Sequence, residues 1–182
     1  MAHEGHDHDH DHHHHHHDSV HEHRHAAATV SAWVITCSDT RNGATDEGGP
    51  AIRHALEHEG HTVVGSSLVR DSAQEIRQAM DQAKASGVRA IILTGGTGLS
   101  SRDVTVETVT PLFQRTIDGF GELFRMLSFQ QIGSAAMATR AIAGVWDGVV
   151  VFALPGSPAG VKLAMEKLIA PELGHLVREV SR

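Results

Sequence analysis

The chain has 182 residues, long enough for one domain with a substantial core, and its 40% hydrophobic content is ordinary for a globular protein. Fifteen Lys and Arg against 22 Asp and Glu leave a net charge of −7, which argues against a broad nucleic-acid surface, because phosphate binding relies on clustered cations. One cysteine, Cys37, cannot close an intrachain disulfide, and no apolar run of about 20 residues suggests a leader or a membrane span, so the cytoplasm is the expected compartment.

Residues 1–25 hold most of the 17 histidines, and Glu4, Asp7, Asp9, Asp11, Asp18 and Glu22 set against Arg24 carry −5 of the charge. With almost nothing apolar to bury, residues 1–27 are expected to form a disordered tail ahead of a domain over 28–182. Imidazoles interleaved with carboxylates suit Zn, Ni, Cu or Co. His12 to His17 alone would be indistinguishable from an affinity tag, whereas the mixed flanks GHDHDHD and HEHRH resemble a native metal-buffering extension; both readings stand.

Beyond the tail, short apolar runs alternate with longer amphipathic ones, as in βα units around a mostly parallel sheet. Strands are predicted over 32–36, 61–69 and 88–93, with helices over 49–59, 72–86, 104–113 and 121–131. Two further strands, 141–146 and 149–154, flank Asp147-Gly148, a type I′ hairpin signal that adds an antiparallel pair. Ser157 is placed to cap a helix over 158–169, and a last helix follows.

Ligands of open α/β sheets bind at the carboxyl ends of parallel strands, and three polar turns follow predicted strands here. They are Ser38-Asp39-Thr40, Thr94-Gly95-Gly96-Thr97-Gly98 and Pro155-Gly156-Ser157-Pro158. The glycines let backbone amides approach a phosphate, although the Lys and spacing of a P-loop are missing. Asp71 and Asp103 each precede a predicted helix and fit ordinary caps, yet two carboxylates beside a glycine anion loop also suit one Mg²⁺ carrying a nucleotide triphosphate. Glu122 and Arg125 are spaced for a simple ion pair. His54 and His58 are spaced i, i+4 with His61 close behind, but no catalytic metal site is expected at that exposed helix end. Cys37, at a strand terminus, reads as a small core residue.

Three blocks, TGGTGLSSRDVTVETV, DGFGELFRMLSFQQIG and ALPGSPAGVK, together with ITCSDTR, resemble the signature blocks of the MoaB/MogA family of molybdenum-cofactor biosynthesis proteins, and FRMLSFQQIG with RAIAGV resembles MoaB more closely. The resemblance implies a three-layer α/β/α domain, a mostly parallel sheet plus an antiparallel hairpin. It also implies a homotrimer or homohexamer, molybdopterin and ATP as substrates, Mg²⁺, and a MoeA-like metal-inserting protein downstream. The implied activity is molybdopterin adenylyltransferase, a nucleotidyltransferase giving adenylyl-molybdopterin and pyrophosphate. Gly95, Gly96, Thr97 and Gly98 match the family's ligand-binding turn; Asp103 and Asp71 match its acidic, metal-holding positions; Ser38, Asp39, Glu122, Pro155, Gly156 and Ser157 match further pocket positions. Thr105-Val106-Glu107 stands where Thr-Pro-Glu is common. The alternatives are a non-catalytic molybdopterin carrier or assembly factor, and a metal chaperone in which the tail carries the ion.

Overall fold

Strand β3, Ala90–Thr94, is buried along its whole length and therefore needs a covering layer on each face. The computed structural model describes residues 29–182, so the expected tail over 1–27 lies outside the described residues. Around β3 lie β1 (Ser31–Cys37), β2 (Thr62–Val69), β4 (Arg115–Thr116), β5 (Ile142–Trp146) and β6 (Val149–Leu154), in the order β2-β1-β3-β6-β5-β4. Strands β2, β1, β3 and β6 run parallel, while β5 is antiparallel to β6 and β4 to β5.

Side-chain alternation assigns the two layers. Val34, Ile92 and Phe152 face a core shared with α1 (Gly48–His58), α4 (Asp118–Ile132), α5 (Pro158–Ala164) and α6 (Ala170–Val180). Ile35, Ile91, Leu93 and Val151 face the other core, where α2 (Ala73–Ala85) contributes Ile76 and Met80 and the short α3 (Thr105–Val109) contributes Val109. The result is the expected three-layer α/β/α sandwich. The predicted hairpin is present, with Asp147 at φ 47° and Gly148 at φ 81°, both left-handed as a type I′ turn requires.

The region after β3 departs from expectation. A helix over 104–113 is replaced by α3, a 3₁₀ turn at Thr110–Leu112 and the unforeseen edge strand β4. Pro111, which lacks an N–H, sits inside that tighter turn and stops α3. Helix α4 ends at Gly133, φ 62°, and a second 3₁₀ segment, Gly133–Ala138, carries the chain back to β5. The two helices expected after residue 157 are joined through a π turn at Met165–Ile169. His61 is a core residue: its Nδ1 accepts from the Val30 N–H at 3.3 Å and its Nε2 faces the Ala170 carbonyl at 3.1 Å.

Register decides what this scaffold presents. Cys37 pairs with Val69, Thr36 with Thr94 and Thr94 with Leu154, so four parallel strands end level. The loops that follow them leave a single edge of the sheet.

Candidate functional site

At that edge lies a cleft of about 410 Å³ lined by Ser38, Asp71, Gly95 to Gly98, Asp103, Pro155 and Gly156, together with Arg41 and Arg140. The glycine turn forms its floor. Gly95 and Gly96 adopt φ 96° and 63°, and a Cβ on Gly95 would stand 2.1 Å from the Cys37 carbonyl oxygen, so no other residue fits between β1 and the turn. Thr94 donates its hydroxyl to the Pro155 carbonyl and Thr105 donates to the Gly95 carbonyl, at 3.0 and 2.9 Å, tying the turn to two neighbours.

The amide N–H groups of Gly96, Thr97 and Gly98 have no protein acceptor among the described residues. Nearby helix starts differ: Asp46 Oδ1 accepts from the Gly48 and Gly49 amides, Ser72 from Glu75, and Ser157 from Gly160. Those starts are already filled by their own side chains, whereas the glycine turn keeps three donors open, an arrangement suited to phosphate oxygens.

Two carboxylates face this cradle. Asp71 does not cap α2, since Ser72 does, and its Oδ1 is buried without a hydrogen-bond partner, against Gly96. Burial pushes its pKa up, and the negative charges of Asp39 and Asp103 push it further. Asp103 is no helix cap either: Val104 occupies that position, and the Asp103 Oδ2 accepts from the Ser100 N–H at 3.0 Å while lying against Gly98. A buried, orphaned oxygen among like charges is the environment a divalent cation relieves. Cys37 is no nucleophile; desolvation raises its thiol to about 12.

The remaining predicted residues divide. Ser38 lines the cleft and its Oγ accepts from the Thr40 and Arg41 amides, folding the loop. Asp39 sits behind, its Oδ1 accepting the Asp71 N–H at 3.1 Å. Ser157 serves as the cap of α5 rather than as a wall of the cleft. Glu122 does not join them: with Asp118 and Arg125 it lines a separate cleft of about 320 Å³ between β4 and α4. The expected Glu122–Arg125 ion pair is absent among the described residues, because the Arg125 guanidinium folds over Gly121 instead.

The cations were missed from sequence. Arg140 donates from Nε to the Thr97 carbonyl at 3.1 Å and from Nη2 to the Asp103 carbonyl at 3.3 Å, while Glu107 holds the rest of its fork. That contact lowers the Glu107 pKa. Arg41 donates to the Gly156 carbonyl at 2.8 Å. The signal for Arg140 was faint, a lone arginine just before β5, some forty residues from the turn it braces.

Comparison with known proteins follows the same residues. The family model for a "Probable molybdopterin binding domain" matches residues 33–175, which include every wall of the cleft. "Molybdenum cofactor biosynthesis protein B" of Halalkalibacterium halodurans is 47% identical over 157 residues, 85% of this chain and 92% of that protein. A crystal structure of a molybdenum cofactor biosynthesis protein B superposes with a TM-score of 0.83 at 44% identity, covering 86% of this chain and 99% of the other. The tungsten cofactor synthesizing protein MoaB from Pyrococcus furiosus does so at 0.79 and 38%, covering 85% and 98%. The chain belongs to the MoaB/MogA family of molybdenum-cofactor biosynthesis proteins.

Proposed function

We propose that the cleft binds molybdopterin and ATP and transfers the adenylyl group to the pterin's terminal phosphate. The observation that carries this reading is the pairing of three open amides, at Gly96, Thr97 and Gly98, with the Asp71 and Asp103 carboxylates across one cleft. A phosphate oxygen of molybdopterin attacks the α-phosphorus of ATP, the bond to the β-phosphate bridging oxygen breaks, and pyrophosphate leaves with that electron pair. A phosphate monoester is already a usable nucleophile, so alignment and charge dispersal are the main demands on the protein. The turn amides would receive phosphate oxygens, and the Arg41 N–H groups not used on the Gly156 carbonyl extend the same positive lining.

Asp71 and Asp103 would hold Mg²⁺, and the orphaned Asp71 Oδ1 fits that role because it is aimed at no protein donor. When bound, the ion would neutralise polyphosphate charge and favour departure of pyrophosphate. Asp39, by fixing the Asp71 backbone, keeps that carboxylate in place.

Self-association is part of the reading. Leu123, Met126, Phe129 and Ile132 are 47–61% exposed along α4, a contiguous apolar run that suits burial against another copy, as a trimer or hexamer would provide. The product would then pass to a MoeA-like protein for metal insertion. The test is incubation of the purified protein with molybdopterin, ATP and Mg²⁺, with mass-spectrometric detection of adenylyl-molybdopterin. Its formation supports the transferase; tight pterin binding with no adenylylated product would identify a non-catalytic carrier.

A further inference from the structure

Between β1 and α1 the chain passes through an exposed turn, Asn42 to Thr45, which carries the only asparagine of the sequence, followed directly by Gly43. We propose that Asn42 is a site of self-modification, at which the Gly43 amide nitrogen closes on the Asn42 side chain and the resulting succinimide opens to aspartate and isoaspartate.

The conversion needs no reagent but water. The Gly43 nitrogen attacks the Asn42 Cγ and gives its proton to solvent, the Cγ–Nδ2 bond breaks, and the leaving nitrogen takes up a proton and departs as ammonia. Water then adds to either ring carbonyl. Opening at Cγ leaves aspartate; opening at the main-chain carbonyl leaves isoaspartate, which lengthens the main chain by one carbon.

The turn supplies what the first step requires. Its nucleophile is free: the Gly43 N–H has no acceptor among the described residues, and a Cβ built on Gly43 would meet nothing within 4 Å. Neither a hydrogen bond nor a side chain hinders its approach. The electrophile is activated as well. Ala44 and Thr45 donate their amides to Asn42 Oδ1 at 2.9 and 3.2 Å, and the Thr45 hydroxyl lies 3.3 Å from the same oxygen. As Cγ becomes tetrahedral, negative charge collects on Oδ1, where these donors already converge in the manner of an oxyanion hole. The hydrogen bonds of residues 42–45 all stay within 42–46, so no strand or helix opposes the small rotation that closes the ring.

The change reaches the cleft through the main chain. Downstream, Asp46 pins the loop by accepting from the Thr36 hydroxyl at 2.8 Å and from the Gly48 and Gly49 amides at 3.0 and 3.2 Å. Upstream stands Arg41, whose guanidinium holds the Gly156 carbonyl at the cleft rim. The extra carbon of isoaspartate is therefore taken up on the Arg41 side.

Rate separates this chemistry from a turn that only folds the loop. A purely structural turn locks the side chain and slows the reaction relative to the unfolded chain, whereas a turn that stabilises the oxyanion does not. The experiment follows the intact mass of the full-length protein at mildly alkaline pH, folded and in urea, with isoaspartate counted by enzymatic methylation. Full-length Asn42→Gln and Gly43→Ala variants are run beside it. The expected result is amide-to-acid conversion in the folded parent at least as fast as in urea, yielding both isoaspartate and aspartate. Asn42→Gln should keep its mass over the same period, and Gly43→Ala should convert several-fold more slowly. Slower conversion in the folded parent than in urea, a mass rise that persists in Asn42→Gln, or acid formed without isoaspartate would overturn the proposal.

Discussion

Asp71 is a carboxylate held where it is poorly solvated, and its raised pKa has a stability consequence of definite sign. In the unfolded chain it ionises around its ordinary value of 3.8, while the folded protein must ionise it beside Asp39 and Asp103. The cost is therefore absent below that ordinary value and complete once pH exceeds the raised one. Asp71→Asn should raise the metal-free Tm by a few degrees at pH 7, an advantage that fades on acidification toward pH 3 and on adding Mg²⁺ to the parent; calorimetry across pH checks it. The same variant should abolish adenylyl transfer. Arg140 acts differently, since one planar fork spans the Thr97 and Asp103 carbonyls and Glu107. Arg140→Lys keeps the charge but not the fork, and a loss on the order of tenfold or more in kcat is expected, measured as product formation. Asp71 and the glycines were legible because each stands beside a strand end in the sequence, and Asp103 because it follows the glycine turn and precedes a predicted helix. Arg140 was not, because its partners are created by the return of the chain through the 3₁₀ segment Gly133–Ala138.

At the scale of elements, the glycine turn and helix α4 make opposite demands. The turn is sterically closed: with Gly95 at φ 96° and the Cys37 carbonyl against it, Gly95→Ala should cost about 2 kcal/mol or more, read by denaturant unfolding. Ser157 caps α5 by accepting the Gly160 amide, and Ser157→Ala should cost only about 1 kcal/mol in the same measurement. Helix α4 instead exposes apolar side chains, so Phe129→Asp should shift the proposed oligomer toward monomer in light scattering without unfolding the subunit. Sequence periodicity revealed strands such as β3 and the Asp147-Gly148 hairpin, whose local chemistry is unambiguous. It misjudged residues 104–116, where Pro111 divides the predicted helix and a two-residue edge strand carries no pattern of its own. Glu122 was placed by motif alone; helix register carries it to the other side of the chain segment that also holds Arg140, into the second cleft.

For the molecule as a whole, the level ends of β1, β2, β3 and β6 are what turn scattered residues into one cleft, and a packed core covers the sheet on each face. No helix among the described residues is long and apolar enough to cross a membrane. Membership of the MoaB/MogA family fixes the pathway as molybdenum-cofactor biosynthesis, and the proposal of adenylyl transfer rests on the geometry of the cleft. The most direct measurement is pyrophosphate release from ATP and Mg²⁺ at saturating molybdopterin, comparing the parent with Asp103→Ala, with pterin affinity determined for both. The expected result is release by the parent, a loss of at least a hundredfold in the variant, and pterin affinity changed by no more than a few-fold. No release by a parent that binds the pterin tightly, or loss of turnover and pterin binding together in Asp103→Ala, would contradict it.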